Sequence, residues 1–212
     1  MSDIKVIYFG VYGRVEFIRM LLTHAKVSFE DERLDGPAFG ARKAAGEFPN
    51  GQLPVVVHNG KMLNESTSIL RYLGKHFGYY PTDPHEAWYA DSLVDYSNDF
   101  IGKTYPAIMN KNFNDDTKKA YTDIVNTYCA YFNKQLKSHG KAFIAGDKPT
   151  TADFHVTAYL CSFVNNKHSP MPEDWAAAAK AALAANPEFN AYAEKMFAEF
   201  KDYLDSRPPA PG

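Results

Sequence analysis

The chain has 212 residues, enough to bury a substantial core as one large domain or two small ones. Its 23 Lys and Arg against 25 Asp and Glu leave a formal charge of -2, and without a Lys/Arg-rich run it lacks the basic face that would make nucleic acid its main partner. No apolar run approaches membrane-spanning length and the N-terminus carries no leader-like pattern, so a soluble, cytoplasmic protein with a small partner is expected. Lys5 to Phe9 reads as a buried strand, Gly10-Val11-Tyr12-Gly13 as a turn, and Val15 to His24 repeats apolar residues at helical spacing. Phe29 to Leu34 alternates like a more exposed strand, parallel to the first if that helix is the crossover.

Residues 36–51, rich in Gly and Pro, predict a broken helix and a loop. Val55-Val56-Val57, the turn Asn59-Gly60 and Lys61 to Leu63 then form a hairpin that runs into a helix beginning at Glu65-Ser66. Pro54 gives its strand no N–H and keeps Leu53 extended, which leaves Leu53's own N–H and C=O free to pair with a peptide. The helix start offers free N–H groups and a positive dipole end to a carboxylate. Together these features make a socket for a small acidic peptide. Taken singly, a proline opening an edge strand and a serine capping a helix are ordinary structural devices. The order βαβ, irregular helix, ββα, with a proline entering the third strand, is the thioredoxin-like arrangement. Gly10 to Gly13 contains no cysteine, which excludes dithiol exchange there.

Residues 79–86 hold two prolines and are the expected linker between a first domain at 1–78 and a second at 87–212. Beyond it the pattern is helical over 87–105, 116–138, 151–165, 175–185 and 187–204. Thr150 and Asp153 form a capping box for the third of these helices. The tail from Arg207, with three prolines and a final glycine, is expected to be disordered. Cys129 and Cys161 fall in helical segments far apart and read as buried thiols without metal-ligand spacing. His24, His58, His76 and His85 also lack such spacing and read as surface or loop residues. With 14 Tyr and 15 Phe, some aromatics are expected to line a pocket or an interface.

Four motifs stand in register: Tyr8-Phe9 before Gly13-Arg14-x-Glu16-x-Ile18-Arg19, Gln52-Leu53-Pro54, Glu65-Ser66 before Ile69-Leu70-x-Tyr72-Leu73, and Gly146-Asp147 before Thr150-x-x-Asp153. Over nearly the whole chain, their order and spacing resemble the cytosolic glutathione transferases of the tyrosine type, most like the sigma class. The resemblance implies an α/β N-terminal thioredoxin-like domain (βαβαββα) with an all-α C-terminal domain, and glutathione as co-substrate without a metal. It also implies a homodimer that conjugates glutathione to hydrophobic electrophiles. The alternatives within it are a prostaglandin D synthase-like isomerase and a non-catalytic ligandin- or crystallin-like carrier.

By this resemblance the Tyr8 hydroxyl activates glutathione's thiol, with Arg14 adding positive charge near the sulfur or supporting Tyr8; an ion pair of Arg14 with Glu16 is the plainer alternative. A free thiol has a pKa of about 8.5, and each unit of depression is worth about 1.4 kcal/mol of thiolate stabilisation. Leu53 and Pro54 pair the cysteinyl unit, Gln52, Glu65 and Ser66 hold the γ-glutamyl end, and Lys43 with Phe39 faces the glycine carboxylate. Phe39 stands where many sigma-like sequences carry Trp, so no indole N–H is available. Asp99 reaches across a two-fold axis to the neighbouring site, and Phe48 is the nearest candidate for the interface aromatic. The electrophile lies between Phe9, Tyr12 and Gly13 on one side and Tyr105, His155 and Tyr159 on the other.

Overall fold

The computed structural model describes residues 3–109 and 113–211, with no account of the side chains of Ala107 and Met109. Four strands, β1 (Ile4–Phe9), β2 (Glu30–Leu34), β3 (Val55–His58) and β4 (Lys61–Leu63), form one sheet of order β2-β1-β3-β4. β1 runs parallel to β2 and antiparallel to β3, which pairs antiparallel with β4. The β-branched content of β1 and β3 suits strands covered on both faces. Val6, Tyr8 and Val56 point into the main core, whereas Ile7 and Val55 point to the opposite face, where Leu34 and Phe48 close a smaller cluster. Phe48 is 4% exposed there, packed within its own chain. That removes it as the aromatic expected to project into a neighbouring subunit.

Helix α1 (Glu16–His24) is the crossover between β1 and β2, entered through a 3-10 turn at Gly13–Val15. Helix α2 (Gly36–Ala44) buries none of its residues, and Asp35 caps it by accepting from Ala38 N–H at 2.8 Å. Helix α3 (Ser66–Phe77) follows the hairpin and ends on left-handed Gly78. Helix α4 (Pro84–Met109) starts inside the expected linker: Pro84 opens it, and Asp83 Oδ1 accepts from His85 N–H and Glu86 N–H at 2.9 and 3.0 Å. Helices α5 (Asp115–His139), α6 (Thr151–Tyr159), α7 (Glu173–Ala184), α8 (Pro187–Glu199) and α9 (Lys201–Ser206) complete the described elements.

All nine residues of α6 are buried, and it packs against α1, α3 and α4, so one core runs through the sheet unit and the helical unit. The capping box at its start is present: Asp153 Oδ2 accepts from Thr150 N–H at 2.7 Å, while Thr150 Oγ1 accepts from Ala152 N–H at 3.3 Å. Past Tyr159 the backbone widens into a π-turn, Leu160–Val164, where the sequence pattern predicts a continuous helix. Apolar periodicity is the same for both forms.

Three further expectations are corrected. The tail is ordered: Pro211 and Pro208 carbonyls accept from Tyr12 N–H (3.1 Å) and Tyr12 Oη (3.2 Å), and Ala210 is buried. His58 is no surface residue but a buried member of β3, its Nδ1 3.1 Å from Tyr72 Oη. His24 is half-buried and bridges units, with ring nitrogens 2.7 Å from Tyr79 Oη and 2.9 Å from Glu199 Oε1. His76 and His85 are exposed, on α3 and at the start of α4. Cys129 and Cys161 are buried and unbridged, with burial pushing each thiol up to about 12.

Candidate functional site

A cleft of about 590 Å³ opens at the end of β1 and is lined by Tyr8, Phe9, Arg14, Phe39, Lys43, Asn50, Gly51, Gln52, Leu53, Pro54, Glu65 and Ser66. Four segments meet here because β1 and β3 are adjacent strands, α2 carries Phe39 and Lys43, and α3 begins just after the hairpin. The Leu53-Pro54 peptide bond is cis. Among the described residues Leu53's backbone makes no hydrogen bond, and strand pairing resumes only at Val55. A peptide strand fits alongside it.

At the helix start, Glu65 adopts φ 66° and ψ 102°, a conformation rare outside glycine. No side chain caps α3, and Ser66 is 9% exposed, so the first N–H groups of the helix face the cleft. Asn50 ties this corner together: its Oδ1 accepts from Gln52 N–H at 3.2 Å and its Nδ2 donates to Glu65 Oε1 at 2.9 Å. Sequence reading missed Asn50 as a site residue, since Asn-Gly carries only a turn signal. At the opposite end Lys43 extends past Gly51 with Nζ 5.7 Å from the Phe39 ring centroid, and Phe39 packs edge-on against Phe9 at 5.1 Å. Phe39 also stacks on Phe48, so it belongs both to the cleft wall and to the smaller core.

Tyr8 is 6% exposed, and its hydroxyl accepts from Arg14 N–H at 3.3 Å. Burial raises its pKa above the ordinary 10.0, opposed by the Arg14 N–H and the nearby arginines. The phenol is therefore protonated at neutral pH and available as a donor. Gly13, at φ +43°, is what admits it: a Cβ there would stand 2.9 Å from Tyr8 Oη and 3.2 Å from Tyr105 Oη. Tyr105, half-buried on α4, has its own pKa pushed up to about 12, chiefly by burial and then by Tyr8. Arg14 lines the cleft and is exposed, and its guanidinium makes no hydrogen bond or ion pair among the described residues. Glu16, the alternative partner, is instead held by Arg19 and Arg207 at 3.3 and 2.6 Å.

Three residues expected against the electrophile are elsewhere. Tyr12 is 1% exposed beneath the tail. His155 is fully buried, stacked on Phe17 and 3.0 Å from Ser97 Oγ. Tyr159 is 1% exposed, its hydroxyl 3.1 Å from Thr104 Oγ1. His155 and Tyr159 belong to the core because α6 presents no face to solvent, and Tyr12 is covered by the tail and Arg207. Phe9 lines the cleft, and Gly13 lies beside the Tyr8 and Tyr105 hydroxyls. Asp99 is exposed on α4, outside this cleft, with no partner among the described residues.

A thioredoxin-like sheet fused to a helical unit, with a cis-proline beside an open backbone and no cysteine at the first helix, defines a binding fold for a small peptide rather than a dithiol exchanger. Residues 4–75 match the model of the glutathione S-transferase N-terminal domain, and residues 98–205 match that of the glutathione S-transferase C-terminal domain. Glutathione S-transferase 3 of Caenorhabditis elegans is 31% identical over 172 residues, 78% of this chain and 82% of that one. Hematopoietic prostaglandin D synthase of Gallus gallus is 31% identical over 157 residues, 73% of this chain and 76% of that one. The crystal structure of monomeric Na-GST-3, a glutathione S-transferase of Necator americanus, superposes with a TM-score of 0.80 at 27% identity, covering 97% of each chain. The chain belongs to the glutathione S-transferase family, enzymes that take glutathione as co-substrate. Among the described residues no group of His, Cys, Asp and Glu is placed to hold a metal ion, and no helix is long and apolar enough to cross a membrane.

Proposed function

We propose that this protein conjugates glutathione to hydrophobic electrophiles, with the Tyr8 hydroxyl holding the thiol in its anionic form. The observation that carries this reading is the Tyr8 hydroxyl itself, anchored by Arg14 N–H at the cleft that also holds the open Leu53 backbone. Leu53 pairs the cysteinyl unit in strand fashion, with Pro54 closing that side. The γ-glutamyl carboxylate sits on the α3 N-terminus with Ser66 and Gln52, and Glu65 accepts from the α-ammonium group. Lys43 draws the glycine carboxylate along the Phe39 ring. With the sulfur at the end of β1, Tyr8 donates to it and Arg14 supplies a nearby positive charge. An O–H aimed at sulfur favours thiolate over thiol, so the nucleophile exists at neutral pH without a strong base. The electrophile enters over Phe9, Gly13 and Tyr105, where an apolar mouth with one phenol suits a flat substrate that gains negative charge on addition.

The sequence of the site is most like the sigma class, and we infer domains at 1–78 and 87–212 joined by 79–86, a homodimer, a cytoplasmic location and a role in detoxification. A second reading is favoured by the likeness to a prostaglandin D synthase: the same thiolate attacks an endoperoxide and is released unchanged, an isomerisation. Tyr8→Phe decides the shared step. Turnover of a chromogenic aryl halide is expected to fall about 10- to 100-fold, while retention on immobilised glutathione stays within about twofold. Full turnover in this variant removes Tyr8 from the mechanism.

A further inference from the structure

The ordered tail lies against the loop that carries Gly13. Besides its two hydrogen bonds with Tyr12, it places the Arg207 guanidinium carbon 3.7 Å from the Tyr12 ring centroid. Arg207 also bonds Glu16 Oε1 at 2.6 Å and the Cys161 carbonyl at 3.1 Å, and Asn166 donates to the Ala210 carbonyl at 3.2 Å. Prolines at 208, 209 and 211 restrict the free tail, so docking costs little further backbone entropy. Glu16 is fully buried and Tyr203 Oη donates to it at 2.9 Å, which fixes the charged end of this arrangement.

Tyr12 is covalently followed by Gly13 and Arg14, the two residues that hold the Tyr8 hydroxyl: one by leaving room, the other by its N–H. A rotation at Tyr12 displaces both. We propose that residues Arg207 to Pro211 are a clasp that sets the Tyr8 hydroxyl for thiol activation, with Arg207 and Tyr12 as positioning residues acting through the Gly13-Arg14 backbone. This rests on the reading of Tyr8 given above. A misplacement of about 1 Å at a reacting group costs up to about 100-fold, so a clasp distant from the sulfur has leverage on the rate.

The test replaces residues 208–211 by Gly-Ser-Gly-Ser, which keeps the Arg207–Glu16 pair and loosens the docking. The pKa of bound glutathione, followed by thiolate absorbance, is expected to rise by about 0.5 to 1 unit, and kcat at pH 6.5 to fall about 3- to 10-fold. Glutathione affinity stays within about twofold, since the Leu53 and Ser66 end is untouched. A tail that serves only as an anchor lowers Tm and leaves the thiol pKa at the wild-type value, and that result overturns the clasp. Should the replacement fail to fold, Tyr12→Phe removes only the hydroxyl bonded to Pro208, and an unchanged thiol pKa there overturns it equally. Comparison with Tyr8→Phe separates the two readings. If Tyr8→Phe retains full turnover, the Tyr8 reading fails; if it loses turnover while the tail variant titrates as wild type, only the clasp fails.

Discussion

A phenol that must donate a hydrogen bond loses its function when it ionises. Burial holds Tyr8 above its ordinary 10.0, with the Arg14 N–H offsetting part of that rise. The turnover rate is therefore expected to climb with pH as the bound thiol ionises and then to stay level up to about pH 10, with no earlier decline. A descending limb between pH 8 and 9 would mean that Tyr8 titrates below its ordinary value and loses its donor proton there. His155 belongs to a different account. Its burial pushes the imidazole down to about 3, so below about 6.5 the unfolded chain binds a proton that the folded chain refuses. The unfolded state then holds more protons, and stability falls as pH falls from about 6.5 towards 3, by up to about 1.4 kcal/mol per pH unit. Urea midpoints of the wild type and His155→Gln between pH 7 and 5 check this: the variant should lose that part of the slope and keep its glutathione KM. An unchanged slope would return His155 to the list of accessible groups.

At the scale of elements the joint between α3 and α6 leaves no room for a side chain at residue 74. A Cβ on Gly74 would stand 2.4 Å from Thr151 Cγ2, and Thr151 is itself fully buried at the start of α6. Gly74→Ala must push the helices apart, an overpacking cost of about 1–3 kcal/mol that exceeds the gain of up to about 1 kcal/mol in helix propensity. Chemical denaturation should register the net loss; a stabilised variant would show that the joint yields. Gly74 is also instructive about what a sequence discloses. The apolar run of β1, the β-branched run of β3, the Asn59-Gly60 turn and the Thr150–Asp153 box are local signals, and each appears in the fold where its residues stand. The need for a glycine at 74 is set by Thr151, far along the chain, and has no local signature. The same holds at the site. Pro54 and Ser66 were legible because proline chemistry and helix starts are local, whereas Asn50 acts through Glu65 across a loop. The tail was misread for this reason too: prolines bar a helix, but only Tyr12, Arg207 and Asn166 make the segment an ordered strap.

At the scale of the molecule, Asp99 tests whether one chain is a complete enzyme. It is exposed and unpaired among the described residues, outside the cleft of its own chain. Met62, Tyr72 and Trp88 are exposed at 40%, 41% and 61% on β4, α3 and α4, large apolar side chains that a second copy would cover. If Asp99 serves the neighbouring site, Asp99→Asn should raise the glutathione KM about 3- to 10-fold with kcat little changed, because an exposed charge contributes modestly to binding. Mixing makes the assignment unambiguous. In a hybrid of one Tyr8→Phe subunit with one Asp99→Asn subunit, the site on the second keeps its own Tyr8 and borrows the intact Asp99 of the first. Unfolding and refolding the two variants together should thus create a fraction of sites that combine wild-type kcat with wild-type KM, a combination that neither variant has alone. If Asp99 acts within its own chain, or the protein remains a monomer of 23.8 kDa, no pairing of the two variants yields a whole site and KM stays high at every ratio.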